Sequence, residues 1–405
     1  LSTTKVLSQQ HQGISTLLAF ALLPLSGFAT DIYIPSLPTM AATLHVSSLQ
    51  VQLTLSLFLI SYGISQLFIG SVLDSFGRYR LSLICLVIFA AASIIIANTH
   101  NIYLIYFMRI IHGFTVGTII VAKRAYFVDL FTGDQLKHYL SLFSIIWSTG
   151  PIVAPFIGGY LQTAFGWESN FYFLALLAIV LAILEFIYSG ETLNHFSEFS
   201  LKKIACTYLK MIKTLSFSLG IVMLGLAYTM VMIYNMTGPF IVEHHLHFTP
   251  VVAGYSSLVL GFAWMAGGFI GKATINRPFF KKMSTNLILQ VAFVAMMLIS
   301  IQFISSLYTL VLFAFLIHVT AGYIFNNYFT FCLGQFPKNA GIASGLTGGI
   351  TYVIVSFLSY SIISVLPAKD EHHLAESYLI LTILSALIMF TIYRMSKKPA
   401  HQAIP

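Results

Sequence analysis

A carboxylate, Asp31, follows the long apolar stretch "ISTLLAFALLPLSGFA" and opens "DIYIPSLP". An acid in such a setting is costly unless water, a cation or a proton reaches it, which makes it a candidate for reversible protonation. The fourth apolar run carries Arg109 in "RIIHGFTVG". With Pro35 and Pro38 read as ending the first apolar run at the outside face, and counting from the helix ends at about 1.5 Å per residue, Asp31 and Arg109 lie at similar depth, roughly 5–12 Å inside, and are candidate partners. Burial raises a carboxylate's pKa and a nearby guanidinium lowers it, so a moving Arg109 could switch the proton affinity of Asp31. A permanently ionised structural pair is the alternative.

The same run carries further basic groups, His112, Lys123 and Arg124. At 100° per residue, Lys123 falls within about 40° of the Arg109 face and His112 within about 60°, with Arg124 on the other flank. Such a track suits an anion; alternatively Lys123 and Arg124 snorkel to the near surface. Tyr33, Tyr228, Tyr234, Asn235, Trp264, His318, Tyr323, Asn326 and Asn327 are expected to line a cavity with apolar walls and few polar anchors, although each alone also suits helix packing. The histidine clusters "EHHLHF" and "DEHHLAE" titrate in a range that suits a pH sensor and could hold a metal, but solvated surface is the plainer reading and no metal site is assigned. "AGGFIGKAT" misses a phosphate-binding loop, with Ala266 at the first glycine and Ala273 at the hydroxyl position. No paired carboxylates, nucleophile triad or metal helix is present, so neither an enzyme nor a cofactor is expected.

These residues need elements to hold them. The chain is 58% hydrophobic and only 8% charged, with 35 phenylalanines, against a charged fraction of about 25% in soluble domains. Apolar runs near the roughly 20 residues needed to cross a bilayer recur at 14–35, 50–72, 81–98, 102–128, 137–163, 169–189, 215–241, 251–273, 284–304, 307–333, 341–366 and 374–394. The fold class is therefore an all-α membrane protein with twelve transmembrane helices, numbered here as spans 1 to 12. Lys and Arg gather in alternate loops, among them Lys5, Arg78, Arg80, Lys137, Lys281, Lys282, Lys338 and Lys398, with only Lys369 opposite, which places both termini in the cytoplasm. The net charge of +8 reflects this topology and not nucleic-acid binding. Residues 1–190 and 215–405 are read as two six-helix bundles, joined by a linker over 191–214 in which "SLKKIACTYLKMIK" has the spacing of an amphipathic helix on the anionic leaflet; a disordered basic linker is the alternative. Cys85, Cys206 and Cys332 give no disulfide framework, no signal-peptide cleavage site follows the first run, and a monomer is expected.

The loop after span 2 reads "GSVLDSFGRYRLSL". Gly70 is suited to close helix approach, Asp74 to a helix end beside Arg78 and Arg80, and Gly77 to a tight turn. Here the chain resembles the major facilitator superfamily, whose pattern G-x-L-a-D-r-x-G-r-[rk] matches Gly70, Asp74, Gly77, Arg78 and Arg80. That resemblance implies an ionic latch with an acid at the end of span 4, here Asp129. "RIIHGFTVG" is similar to the family's R-x-x-q-G-x-g, with His112 in place of Gln. Span 5 reads "STGPIVAPFIGGYL" and resembles the family's antiporter motif at Gly150, Pro151, Ala154, Pro155, Gly158 and Gly159, a pliable, closely packed seam. "DIYIPSLP", "KRAYFVDLF" and "FPKNAGIASGL" are similar to segments of the Bcr/CflA drug-resistance exporters.

The resemblance implies an inner-membrane proton antiporter working by alternating access, with Asp31 as proton carrier, Arg109 as its switch and a small organic molecule as cargo. A second reading keeps the fold and uses the basic track for an anionic metabolite or carboxylate-rich, siderophore-like chelator, moved in either direction. A third is a membrane sensor that transports nothing. The expected partners are protons, a small molecule and lipid.

Overall fold

The computed structural model describes residues 5–193, 201–336, 340–367 and 369–397. Lys338, Lys398 and the linker stretch 194–200 lie outside the described residues. Twelve helices are long and apolar enough to cross a membrane: Gln9–Thr43, Ser48–Phe76, Arg78–Ala97, Ile102–Leu130, Gly133–Phe165, Glu168–Tyr188, Leu215–His245, Pro250–Ala273, Phe279–Ile301, Leu307–Gly334, Gly341–Val365 and Glu371–Ser396. Apart from span 1, their ends fall within about five residues of the apolar runs. The ends are set by polar caps and glycine. Ser47 and Gln50 form a reciprocal capping box at the start of span 2, and Asn101 and Ser306 cap spans 4 and 10. Gly77, at φ 94°, ends span 2 where another residue would be strained.

Span 1 departs from expectation. Pro35 and Pro38 do not end it: they fall in the first turns of two short new helices, Ile34–Ser36 and Leu37–Thr43, where a missing N–H costs little. The span is a chain of segments, Gln12–Ala21, Leu25–Asp31 and these two. Asp31 therefore lies about 18 Å below the end of its span at Thr43, deeper than a stop at Pro35 implies.

The packing repeats with a shift of six spans. Span 2 packs on 4 and span 8 on 10; span 3 packs on 4 and 6 while span 9 packs on 10 and 12; span 1 meets 5 as span 7 meets 11. Two apolar cores result, one centred on the first six spans and one on the last six. The halves meet along two edges, 2 against 11 and 5 against 8. The first edge holds along most of its length. Ser356 donates to Ser56 O (2.7 Å), Gly63 passes Gly349, and Arg124 Nη1 donates to Ser344 Oγ (3.1 Å). Large apolar side chains such as Phe165, Phe186 and Phe357 point outward, as a lipid-facing surface requires.

The linker segment Leu201–Ile212 is helical. Its Met211 is buried, and Tyr208 donates its hydroxyl proton to Leu67 O on span 2 (2.7 Å), so this helix is fastened to protein as well as presenting Leu209 and Ile212 outward.

Candidate functional site

The end of the molecule that carries Lys5, Arg78, Asp129, Lys272 and Lys282 is called here the basic face. A cavity of about 930 Å³ between the halves opens toward it. Lys272, Arg277 and Gln335 line the mouth, and Asp31 lies among the lining residues at the far end. The aromatic wall joins Tyr228, Trp264, Phe325 and Tyr352, with ring centroids 5.1–6.0 Å apart in successive contacts. Beyond Asp31 the halves are shut. Gln52 Nε2 donates to Met236 O (2.7 Å), and the hydroxyls of Tyr160 and Tyr255 pair at 2.9 Å.

Span 5 is what brings the halves close there. Its helix continues through Pro151 and Pro155; Gly159 passes Pro250 O, and Gly254 passes Pro155 O, so near that a Cβ at either glycine would collide with backbone across the halves, while Gly158 is as close to Ile32 O on span 1 within its own half. Toward the basic face, spans 5 and 8 part below the contact of Ile152 with Gly261, and Ile145, Trp147 and Ser148 line the cavity instead.

Asp31 is 1% exposed and is the only acid among the lining residues. Its carboxylate accepts a hydrogen bond from Asn235 Nδ2 on span 7 at 3.2 Å. Arg109 is not its partner in this conformation: no ion pair within 4 Å joins them. The guanidinium is fully buried. Its Nη1 donates to Ala29 O (2.9 Å) and to His112 Nδ1 (3.3 Å), its Nε to Thr54 O (3.4 Å), and it lies over the rings of Tyr33 and Phe58 at 4.7 and 4.5 Å. Backbone carbonyls and aromatic faces hold this cation without neutralising it and leave its Nη2 without a hydrogen-bond partner, while the bond to Asp31 comes from a neutral amide.

Of the expected lining residues, Tyr228, Asn235, Trp264, His318, Asn326 and Asn327 reach the cavity. Tyr33, Tyr234 and Tyr323 are buried beside it, Tyr33 bonding Thr54 Oγ1 (3.0 Å) and Tyr323 bonding Thr274 Oγ1 (2.8 Å). The basic track is not a lining. His112 is packed against Phe89 and Ser93 of span 3, and Lys123 forms a 2.6 Å ion pair with Glu185 of span 6. Arg124 is exposed, but it lies over Phe143 and ties span 4 to span 11 outside the cavity. Helical angle alone placed these groups, and neighbours on spans 3 and 6 decided where they point. Glu185 was missed, although a lone acid in the sixth apolar run gives the same signal as Asp31.

At the basic face, Arg78 bonds Asp74 (2.9 Å) and Asp129, and Thr192 Oγ1 donates to Asp129 Oδ2 (2.8 Å). Glu191, unforeseen, accepts the backbone N–H groups of Arg78 and Tyr79 at 3.1 and 3.2 Å, which caps span 3. Arg80 is exposed and outside this cluster. Gly70 is not a close contact, since a Cβ there would only touch Val121 at 4.0 Å; the near approach of spans 2 and 4 is made at Gly113, against Ser61 and Phe58.

Residues 19–360 match the family model for the Major Facilitator Superfamily. The chain belongs to the major facilitator superfamily. It is 30% identical over 339 residues to an uncharacterised MFS-type transporter, YdgK of Bacillus subtilis, covering 81% of this chain and 83% of that one. Multidrug resistance protein D of Escherichia coli is 25% identical over 98% of this chain and all of its own, and a bicyclomycin resistance protein homolog of Haemophilus influenzae is 34% identical over 44% of each. A crystal structure of a point mutant of the nucleoside transporter NupG superposes with a TM-score of 0.70 at 15% identity, over 95% of this chain and 99% of that one, a likeness of fold. This facilitator is thus a multi-pass transport protein and not an enzyme. Its relatives include drug-resistance transporters.

On the opposite face, His245 meets Glu371 (3.1 Å) and Ser305 donates to the same carboxylate (2.7 Å), while His373 pairs with Asp370 (2.6 Å). Burial alone would raise the pKa of Asp370, but hydrogen bonds and charge from His373, with His245 nearby, hold it below the ordinary aspartate value. No grouping of metal ligands occurs among the described residues.

Proposed function

We propose that this facilitator is a proton-coupled exporter of small organic molecules in a bacterial inner membrane, with the basic face in the cytoplasm. The observation that carries the reading is the place of Asp31, a lone acid at the closed end of a large aromatic-walled cavity, reached from the basic face and bonded across the halves. The positive-inside distribution supports the orientation, and the drug-resistance relatives support efflux of lipophilic cargo. The anion reading loses its support, because His112, Lys123, Arg109 and Arg124 have other partners. In the exporter cycle, Asp31 takes a proton on one side, gives it up on the other, and cargo moves the opposite way.

The test is transport in proteoliposomes under an imposed proton gradient. Asp31→Asn is expected to abolish gradient-driven accumulation, and uphill transport at the normal rate by that variant would overturn the assignment.

A further inference from the structure

Among the described residues, side-chain hydrogen bonds between the halves join Gln52 to Met236, Arg124 to Ser344, Tyr160 to Tyr255, Ser356 to Ser56, and Asp31 to Asn235. Only the last ends on an acid. Asn235 and Met236 are adjacent on span 7, so one point of that span grips span 1 through a side chain and span 2 through a carbonyl. Just beyond it come Pro239 and the π-helical turn Ile241–His245, features that let a helix change shape locally.

An amide N–H given to a carboxylate makes a charge-assisted hydrogen bond, about twice as strong as the neutral bond the same amide makes to a carboxylic acid. The grip of Asn235 is therefore firm while Asp31 is ionised and weaker once it is protonated. Other groups acting on Asp31 are Arg109 of span 4, Tyr33 of its own span, Tyr228 of span 7 and Tyr352 of span 11. None of them hydrogen-bonds the carboxylate, and none of the span 5 residues that line the cavity is charged or titratable.

We propose that Asn235 is the positioning residue that keeps the opposite-face gate shut while Asp31 is ionised, an inference that rests on Asp31 as the proton carrier. A carrier that has released its proton and holds no cargo then cannot turn over empty. Cargo that displaces Asn235, or a proton that returns to Asp31, frees the gate.

The experiment measures gate opening in the purified full chain in lipid nanodiscs, without cargo. Paired spin labels are placed at Thr43→Cys and Phe248→Cys, both exposed on the opposite face, with Cys85, Cys206 and Cys332 replaced by serine. Distances are recorded from acid to alkaline pH. In Asn235→Ala, and in Asn235→Leu as the better-packed alternative, the open-to-closed ratio is expected to rise roughly tenfold or more at alkaline pH and at most a few-fold at acid pH. In an Asp31→Asn background the Asn235 substitutions are expected to act equally at every pH. An effect of Asn235 that is constant with pH in the unsubstituted background, or that keeps its pH dependence in Asp31→Asn, overturns the proposal. If Asp31→Asn alone retains the full pH response of the gate, the proton-carrier reading itself is wrong, a result distinct from failure at Asn235.

Discussion

The ion pair of Lys123 and Glu185 makes a demanding prediction, because the two side chains are only 6% and 2% exposed and meet at 2.6 Å inside the first bundle. At an effective dielectric constant of about 20, their attraction is of order 6 kcal/mol. Removing both charges from water offsets most of that, so the intact pair is worth little by itself. Removing one partner is different: a charge is stranded, at a cost of about 3–5 kcal/mol. Glu185→Gln and Lys123→Met are thus each expected to destabilise by that amount. Lys123→Met combined with Glu185→Leu, which takes away both charges, is expected to fall within about 1–2 kcal/mol of the original protein. Reversible unfolding in mixed micelles, followed by tryptophan fluorescence, measures all three. Single variants that each cost under about 1 kcal/mol, with no recovery in the double, would refute the reasoning and mean that Lys123 reaches the surface by snorkelling.

Two further outcomes follow from local geometry. Gly158→Ala places a methyl group against Ile32 O and is expected to lower stability and transport, whereas Gly70→Ala, which meets only Val121, is expected to leave both near normal; parallel melting and uptake measurements compare them. Asp370 has a folded pKa below its ordinary 3.8, so its pairing with His373 stabilises the fold above that pH and the contribution is lost as pH falls from 3.8 through the lower folded value. Asp370→Asn is expected to flatten that part of an acid stability curve, and an unchanged acid limb would show that the pair contributes nothing.

The twelve spans were legible because run length is a property of composition, and the pairing of Arg78 with Asp74 and Asp129 because these residues are neighbours in sequence or at fixed helix ends, although Gly70 and Arg80 take no part in it. Asp31 was legible as an acid out of place. Its partner was not, since Asn235 lies 204 residues away and faces Asp31 only through the packing of span 7 on span 1. Depth singled out Arg109 as a partner for Asp31, but depth does not tell a carbonyl from a carboxylate, and the guanidinium bonds Ala29 O. Pro35 and Pro38 misled for a related reason: a proline forbids one hydrogen bond behind it and says nothing of the helix ahead. The basic track failed because an angle around one helix gives a direction without saying which neighbour fills it.

The unequal edges between the halves bear on how access changes. Spans 2 and 11 stay joined from Ser56 and Ser356 down through Gly63 and Gly349 to Gln66 and Gly348, with Arg124 of span 4 bonding Ser344 beyond, whereas spans 5 and 8 separate below Ile152. A movement of the halves that kept the bonds of the first edge would displace the second edge most, as a door moves most at the side away from its jamb. The mouth of the cavity therefore lies on the side of spans 5 and 8, beside Ile145 and Phe269, and no residue of span 2 lines it.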